Sequence, residues 1–119
     1  MTVHINPKHL DMSELRQKVW AKPSTPDVRP YLIEYMRREM DRARALTNRE
    51  LLSGKGGDVS ANICGALIWP SVVADDEIGW LTEKSEPELS RALDLACKLD
   101  VDDDQAAWDE LFQIVEKLQ

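Results

Sequence analysis

Residues 60 to 100 read SANICGALIWPSVVADDEIGWLTEKSEPELSRALDLACKLD, and their punctuation sets the fold class. Ser60 is a candidate N-cap for the apolar run Ala61 to Trp69. Pro70 should end that helix, because it lacks an N–H and biases Trp69 away from helical dihedrals. Asp75, Asp76 and Glu77 then form an acidic loop, followed by a short helix from Ile78 to Leu81. Ser85-Glu86-Pro87-Glu88 has the form of a capping box, with Pro87 in the first turn. Behind it Leu89, Ala92, Leu93, Ala96 and Leu99 recur at helical spacing and make one apolar stripe.

The same reading extends upstream. Met1 to Ile5 reads as either a frayed end or a small edge strand, and Asn6-Pro7 as a cap followed by a first helical residue. Leu10, Leu15, Val19 and Trp20 suit a short helix with a break near Asp11 or Ser13. Lys22 to Asp27 carries two prolines and reads as a loop, with a helix start near Asp27 or Arg29 that tolerates Pro30. Tyr31 to Leu46 is the strongest helix, with Leu32, Met36, Met40 and Ala43 on one face and Glu34 four residues before Arg38. Thr47-Asn48-Arg49-Glu50 repeats the capping-box form. Ser53-Gly54-Lys55-Gly56-Gly57-Asp58 reads as a flexible glycine-rich loop at 53–58, a hinge between two helical halves. Downstream, Asp102 or Asp103 should cap a last helix that buries Ala107, Leu111, Ile114, Val115 and Leu118, with Trp108 and Phe112 widening the face. The expectation is an all-α, single-domain bundle of about five to six short helices over residues 1–119, with a short extended segment at its N-terminus.

Composition narrows the function. No apolar run approaches the roughly 20 residues of a membrane span, and Met1 to Leu10 lacks a charged-then-apolar signal pattern. The net charge of −7 is uneven: residues 1–58 hold eleven Lys/Arg against eight Asp/Glu (+3), and residues 59–119 hold four against fourteen (−10). That balance disfavours nucleic-acid binding, which needs phosphate neutralisation, and favours head-to-tail attraction between copies. Cys64 and Cys97 both fall on apolar helix faces and read as buried, reduced thiols; a disulfide requires their helices to pack closely.

Chemical motifs are weak throughout. Gly54-Lys55-Gly56-Gly57 lacks the Ser or Thr after lysine, and the preceding strand, that a phosphate loop needs. Asp100, Asp102 and Asp104 have alternate calcium-loop spacing, but Gln105 stands where the turn glycine belongs and Leu111 where a bidentate glutamate belongs. His4 and His9 have no partner ligands in an HExxH arrangement. No catalytic residue, metal or cofactor is expected, and the chain reads as a non-enzyme. The residues singled out for partner contact are Arg37, Arg38, Arg42 and Arg44, clustered on one helix, with Trp80 and Trp108. The plain alternative is a solvated arginine face beside Glu34, Glu39 and Asp41, and tryptophans that anchor the core.

The order Ala66-Leu67-Ile68, then Asp75-Asp76-Glu77, Ile78 to Leu81, Glu83-Lys84-Ser85 and the helix Leu89 to Leu99 resembles the tail assembly chaperones of long-tailed bacteriophages. The resemblance covers about residues 60 to 104; the extended segments that family often carries near its N-terminus have little counterpart here. It implies a small helical viral protein of the host cytoplasm that binds the tape measure protein, recruits tail tube subunits and leaves before the virion is complete. It also implies self-association, a homo-oligomer, and a longer frameshifted product. The competing expectation is a small acidic helical regulator or inhibitor of a host nucleic-acid-handling protein, suggested by Asp75 to Glu77 and Asp100 to Asp104.

Overall fold

In the computed structural model the described residues are 6–22, 24–73 and 77–118. The expectations for Met1 to Ile5 and for Asp75-Asp76 lie outside them. Six α-helices carry the chain: α1 Met12–Val19, α2 Arg29–Arg44, α3 Asn48–Leu51, α4 Gly54–Ser71, α5 Pro87–Leu99 and α6 Gln105–Lys117. The protein is a small all-α domain. One minimal antiparallel ladder interrupts it, β1 Val72–Val73 on β2 Glu77–Ile78, with Val72 opposite Ile78 and Val73 opposite Glu77.

The first helices start where local chemistry asks them to. Asn6 caps a short 3-10 turn at Pro7–His9 by accepting the Lys8 N–H at 3.0 Å. The chain breaks at Leu10, and Asp11 opens α1, accepting the Glu14 N–H at 2.8 Å. A second 3-10 turn, Pro26–Val28, leads into α2 with Pro30 in its first turn. The expected stripe Leu32, Met36, Met40 and Ala43 is buried, and Ile33, Tyr35 and Glu39 widen it. That broad face is why α2 packs against α1, α4 and α6 at once. The capping box of α3 forms as read, with Thr47 Oγ1 accepting the Glu50 N–H at 3.2 Å and Glu50 Oε1 accepting the Thr47 N–H at 3.1 Å.

The glycine-rich segment departs from expectation. Gly54 to Asp58 is the first turn and more of α4, not a loop, so Ser60 lies buried inside that helix rather than at its cap. Ser60 Oγ satisfies itself by donating to the Gly57 carbonyl at 3.0 Å. The physical reason lies at one glycine. A Cβ on Gly56 would stand 1.7 Å from the Leu51 carbonyl oxygen, whereas Gly54 and Gly57 have open space. Gly56 is therefore a contact point that lets α3 and α4 meet closely, and the neighbouring glycines ride in the helix at some cost in propensity.

The end of α4 is also tighter than expected. Pro70 is tolerated in the last turn, and the helix stops at Ser71. The chain then folds back on that end: Gly79 N–H donates to Ser71 O at 3.1 Å, and Leu81 N–H to Pro70 O at 3.3 Å. A Cβ on Gly79 would lie 1.8 Å from Pro70 O. This close return replaces the expected short helix at Ile78 to Leu81 with a strand and a bend. Ser85 does not cap α5 either. It closes a turn with Thr82, accepting the Thr82 N–H at 3.2 Å and donating to Trp80 O at 2.8 Å. Glu86 takes the cap position without a side-chain cap bond. Its carboxylate instead accepts Arg29 Nε–H at 2.8 Å, tying the start of α5 to the start of α2.

The last two helices close the core. Buried Leu89, Ala92, Leu95, Ala96 and Leu99 of α5 face α4, with Leu93 only half-buried. Asp104, rather than Asp102 or Asp103, caps α6 by accepting the Ala107 N–H at 3.2 Å. Ala107, Trp108, Leu111, Val115 and Leu118 join one apolar cluster with α1, α2, α4 and α5, while Ile114 packs at its edge. Arg91 and Glu110 make a two-bond pair at 2.7 and 2.8 Å across α5 and α6. Cys64 of α4 and Cys97 of α5 stand with Cα atoms 5.5 Å apart and are joined as a disulfide. The expectation of reduced thiols is thus corrected, because α4 and α5 pack closely enough to satisfy the geometric condition.

Candidate interaction surface

The arginine strip of α2 is occupied by the chain's own acceptors. Arg38 pairs with Glu34 at 2.8 Å and donates to the carbonyls of Pro7 and Lys8 at 3.2 and 3.3 Å, fastening the N-terminal turn to α2. Arg37 donates to the Leu118 carbonyl, just beyond the end of α6. Arg44 reaches Asp41 at 3.2 Å and Glu116 at 2.7 Å, with its guanidinium 5.2 Å from the Phe112 ring centroid. Arg42 faces Glu39 at 3.4 Å. The basic and acidic halves of the sequence therefore meet within one molecule, through Arg29–Glu86 and Arg44–Glu116. Arg44–Glu116 is exposed and Arg29–Glu86 only partly buried, and surface pairs are individually weak, on the order of 0–1 kcal/mol, so their main effect here is to orient α6 and α5 on α2.

The tryptophans divide. Trp108 is 2% exposed and belongs to the core, so it offers no surface. Trp80 is half-buried, and its Nε1–H donates to Ser24 Oγ at 2.9 Å. Trp69 Nε1–H donates to Ala21 O at 3.0 Å. Trp69 and Trp80 thus both hold the 21–24 connection against the far half of the chain. Trp20 meets Tyr35 edge to face at 5.2 Å.

Glu39 was placed by sequence among solvated neighbours of the arginines; it is fully buried. Arg42 and the Asn62 amide, the latter at 3.4 Å, are its polar company between α2 and α4. Burial, and then the Glu39 charge, push the Tyr35 phenol above its ordinary value. The signal was available: Tyr35 and Glu39 are four residues apart, beside Met36 and Met40 on the apolar face.

Two small cavities lie beside α2. A cavity of about 180 Å³ is lined by Asn6, Pro7, Lys8, Pro30, Ile33, Glu34 and Arg37. Another of about 230 Å³ is lined by Arg42, Leu46, Lys55, Asp58 and Val59. Both are below the several hundred Å³ usual for a small-molecule pocket. Among the described residues, no group of three or more His, Cys, Asp or Glu is arranged as a metal site, and no helix is long and apolar enough to cross a membrane. Among the described residues, Ile68 on α4 and Val101 between α5 and α6 are the large apolar side chains left exposed. No family model, curated protein or solved structure matches this chain.

Proposed function

We propose that this protein is a tail assembly chaperone of a long-tailed bacteriophage, a non-enzymatic helical protein that binds the tape measure protein and recruits tail tube subunits. The observation that carries the reading is the element order over residues 60 to 104. An apolar helix, α4, ends at Ser71, an acidic segment follows, a strand and a bend stand where that order has a short helix, and the amphipathic helix α5 opens at Pro87. A domain of short amphipathic helices with shallow grooves suits the covering of a long helical partner, where each contact is weak and many copies act together. The work is done in the host cytoplasm, by a homo-oligomer.

The test is capture from infected cells with the tagged full chain. Recovery of the tape measure and tail tube proteins supports the reading; a capture lacking every tail component removes it. The exposed carboxylates Asp100, Asp102 and Asp103 favour one alternative, an acidic regulator of a host nucleic-acid-handling protein. A strict monomer that captures such a host enzyme would establish that alternative.

A further inference from the structure

We infer that the α5–α6 connection of one copy docks in the cavity beside Arg37 of a second copy, a head-to-tail contact. The knob is Val101, 78% exposed, the most exposed large apolar side chain among the described residues. It sits at a turn held by Val101 N–H and Asp102 N–H on the Lys98 carbonyl, at 3.2 and 2.9 Å. Exposed Asp100, Asp102 and Asp103 flank it. A lone apolar tip ringed by carboxylates fits an apolar hollow with a cationic rim, and offers little to an acidic or flat partner.

Of the two cavities described above, charge selects one. Counting each lining charge with its ion-pair partner, the hollow beside Arg37 has Lys8, Arg37 and Arg38 against Glu34, a balance of +2. The hollow beside Arg42 has Arg42 and Lys55 against Asp58, Glu39 and Glu50, a balance of −1. The first also has an apolar lining, Pro7, Pro30 and Ile33, and its volume of about 180 Å³ accommodates a valine side chain. The occupant is a second copy, because this chain supplies both complementary parts.

Placement fixes the symmetry. The knob precedes the start of α6, while Arg37 of the socket touches Leu118 beyond its end. Thirteen residues of helix separate them, about 20 Å at the usual rise. Two different surfaces at opposite ends of one helix make a heterologous contact, which builds open chains or rings. A four-residue knob buries far less than a standard interface, so the contact is weak and concentration-dependent. This inference goes beyond the proposed function and does not require it.

Sedimentation equilibrium of the full chain at micromolar to millimolar concentration tests it. The expected weight-average mass rises from 13.6 kDa without a plateau at the dimer, and falls back in high salt. Val101→Ser, which removes the knob, and Lys8→Glu, which spoils the socket, each weaken association by about tenfold. Mixed together they form a dimer that stops, since each retains the part that the other lacks. Circular dichroism establishes that both variants fold. A mass fixed at 13.6 kDa overturns the inference, as does a saturating dimer that ignores both substitutions. A monomer in which Val101 is needed only to capture a tape measure fragment would assign the knob to that partner and overturn both this contact and the homo-oligomer, while leaving the tape measure binding of the proposed function intact.

Discussion

Two adjacent glycines, Gly56 and Gly57, should respond to alanine with opposite signs. Both lie in the first turns of α4. At Gly57 an added Cβ meets nothing within 4 Å, so alanine improves helix propensity and restricts the unfolded chain, a gain of about 0.5–1 kcal/mol. At Gly56 the same atom would lie 1.7 Å from the Leu51 carbonyl oxygen and 2.6 Å from its carbon. Those are backbone atoms at the end of α3, so relief requires α3 to move against α4. Overpacking of this kind costs about 1–3 kcal/mol, and the propensity gain offsets only part of it. For a chain of 119 residues, each kcal/mol moves Tm by about 4 °C. Gly57→Ala should therefore raise Tm by about 2–4 °C, and Gly56→Ala should lower it by several degrees. Thermal unfolding by circular dichroism at 222 nm measures both. If 53–58 were a mobile hinge, neither position would have a fixed neighbour, and the two variants would shift together by small amounts. Shifts of equal sign and size would refute the packing described for α3 and α4.

Three further outcomes follow from named contacts. Reducing the Cys64–Cys97 bond, which spans a sequence separation of 33, should lower stability by about 3–4 kcal/mol on the chain-entropy account; urea unfolding with and without dithiothreitol reads this, and coincident curves contradict it. The Lys55 ammonium, with help from Thr47, holds the Glu50 carboxyl down to about 2 from 4.5. Its contribution is present above the unfolded value near 4.5 and is lost as pH falls toward 2; Lys55→Ala should bring the Glu50 titration observed by NMR back toward 4.5, and an unmoved midpoint counts against the pair. Arg42→Ala should leave the fully buried Glu39 without its cation, at a cost of about 1–3 kcal/mol, moderated because Arg42 itself is half exposed; adding Glu39→Gln should recover part of the loss, and an additive double variant would show that the two do not interact.

The sequence made the rods legible, and left their meetings hidden. Leu32, Met36, Met40 and Ala43 on α2, and Leu89, Ala92, Ala96 and Leu99 on α5, show their period in any window, because burial of one face follows directly from spacing. Caps could be read where cap and helix are neighbours, as at Asn6 and at Thr47 with Glu50. They were misread where a distant group decided the matter. Glu86 turns toward Arg29, 57 residues away, and Ser85 turns back to Trp80, so the apparent capping box before α5 never forms. Gly56 looks like a hinge residue, and Gly79 like part of a short helix, until Leu51 O and Pro70 O are placed beside them. The surface was harder still. Arg37 and Arg44 look free in sequence, yet each is claimed by a carbonyl or carboxylate brought in by the tertiary fold, and Arg38, legible as the partner of Glu34, also reaches the distant Pro7 carbonyl. Trp108, three residues before Leu111 and seven before Val115, shares the apolar period of α6, and its burial agrees with the reading that it widens the buried face.

The proposed function makes this domain a holder of another chain. The direct measurement is the mass, by light scattering coupled to size exclusion, of this chain co-expressed with the tape measure protein that the proposed function pairs with it. The account predicts one peak containing the tape measure protein and several copies of this chain, each adding 13.6 kDa. Two separate peaks, with this chain alone at its own mass, would contradict it.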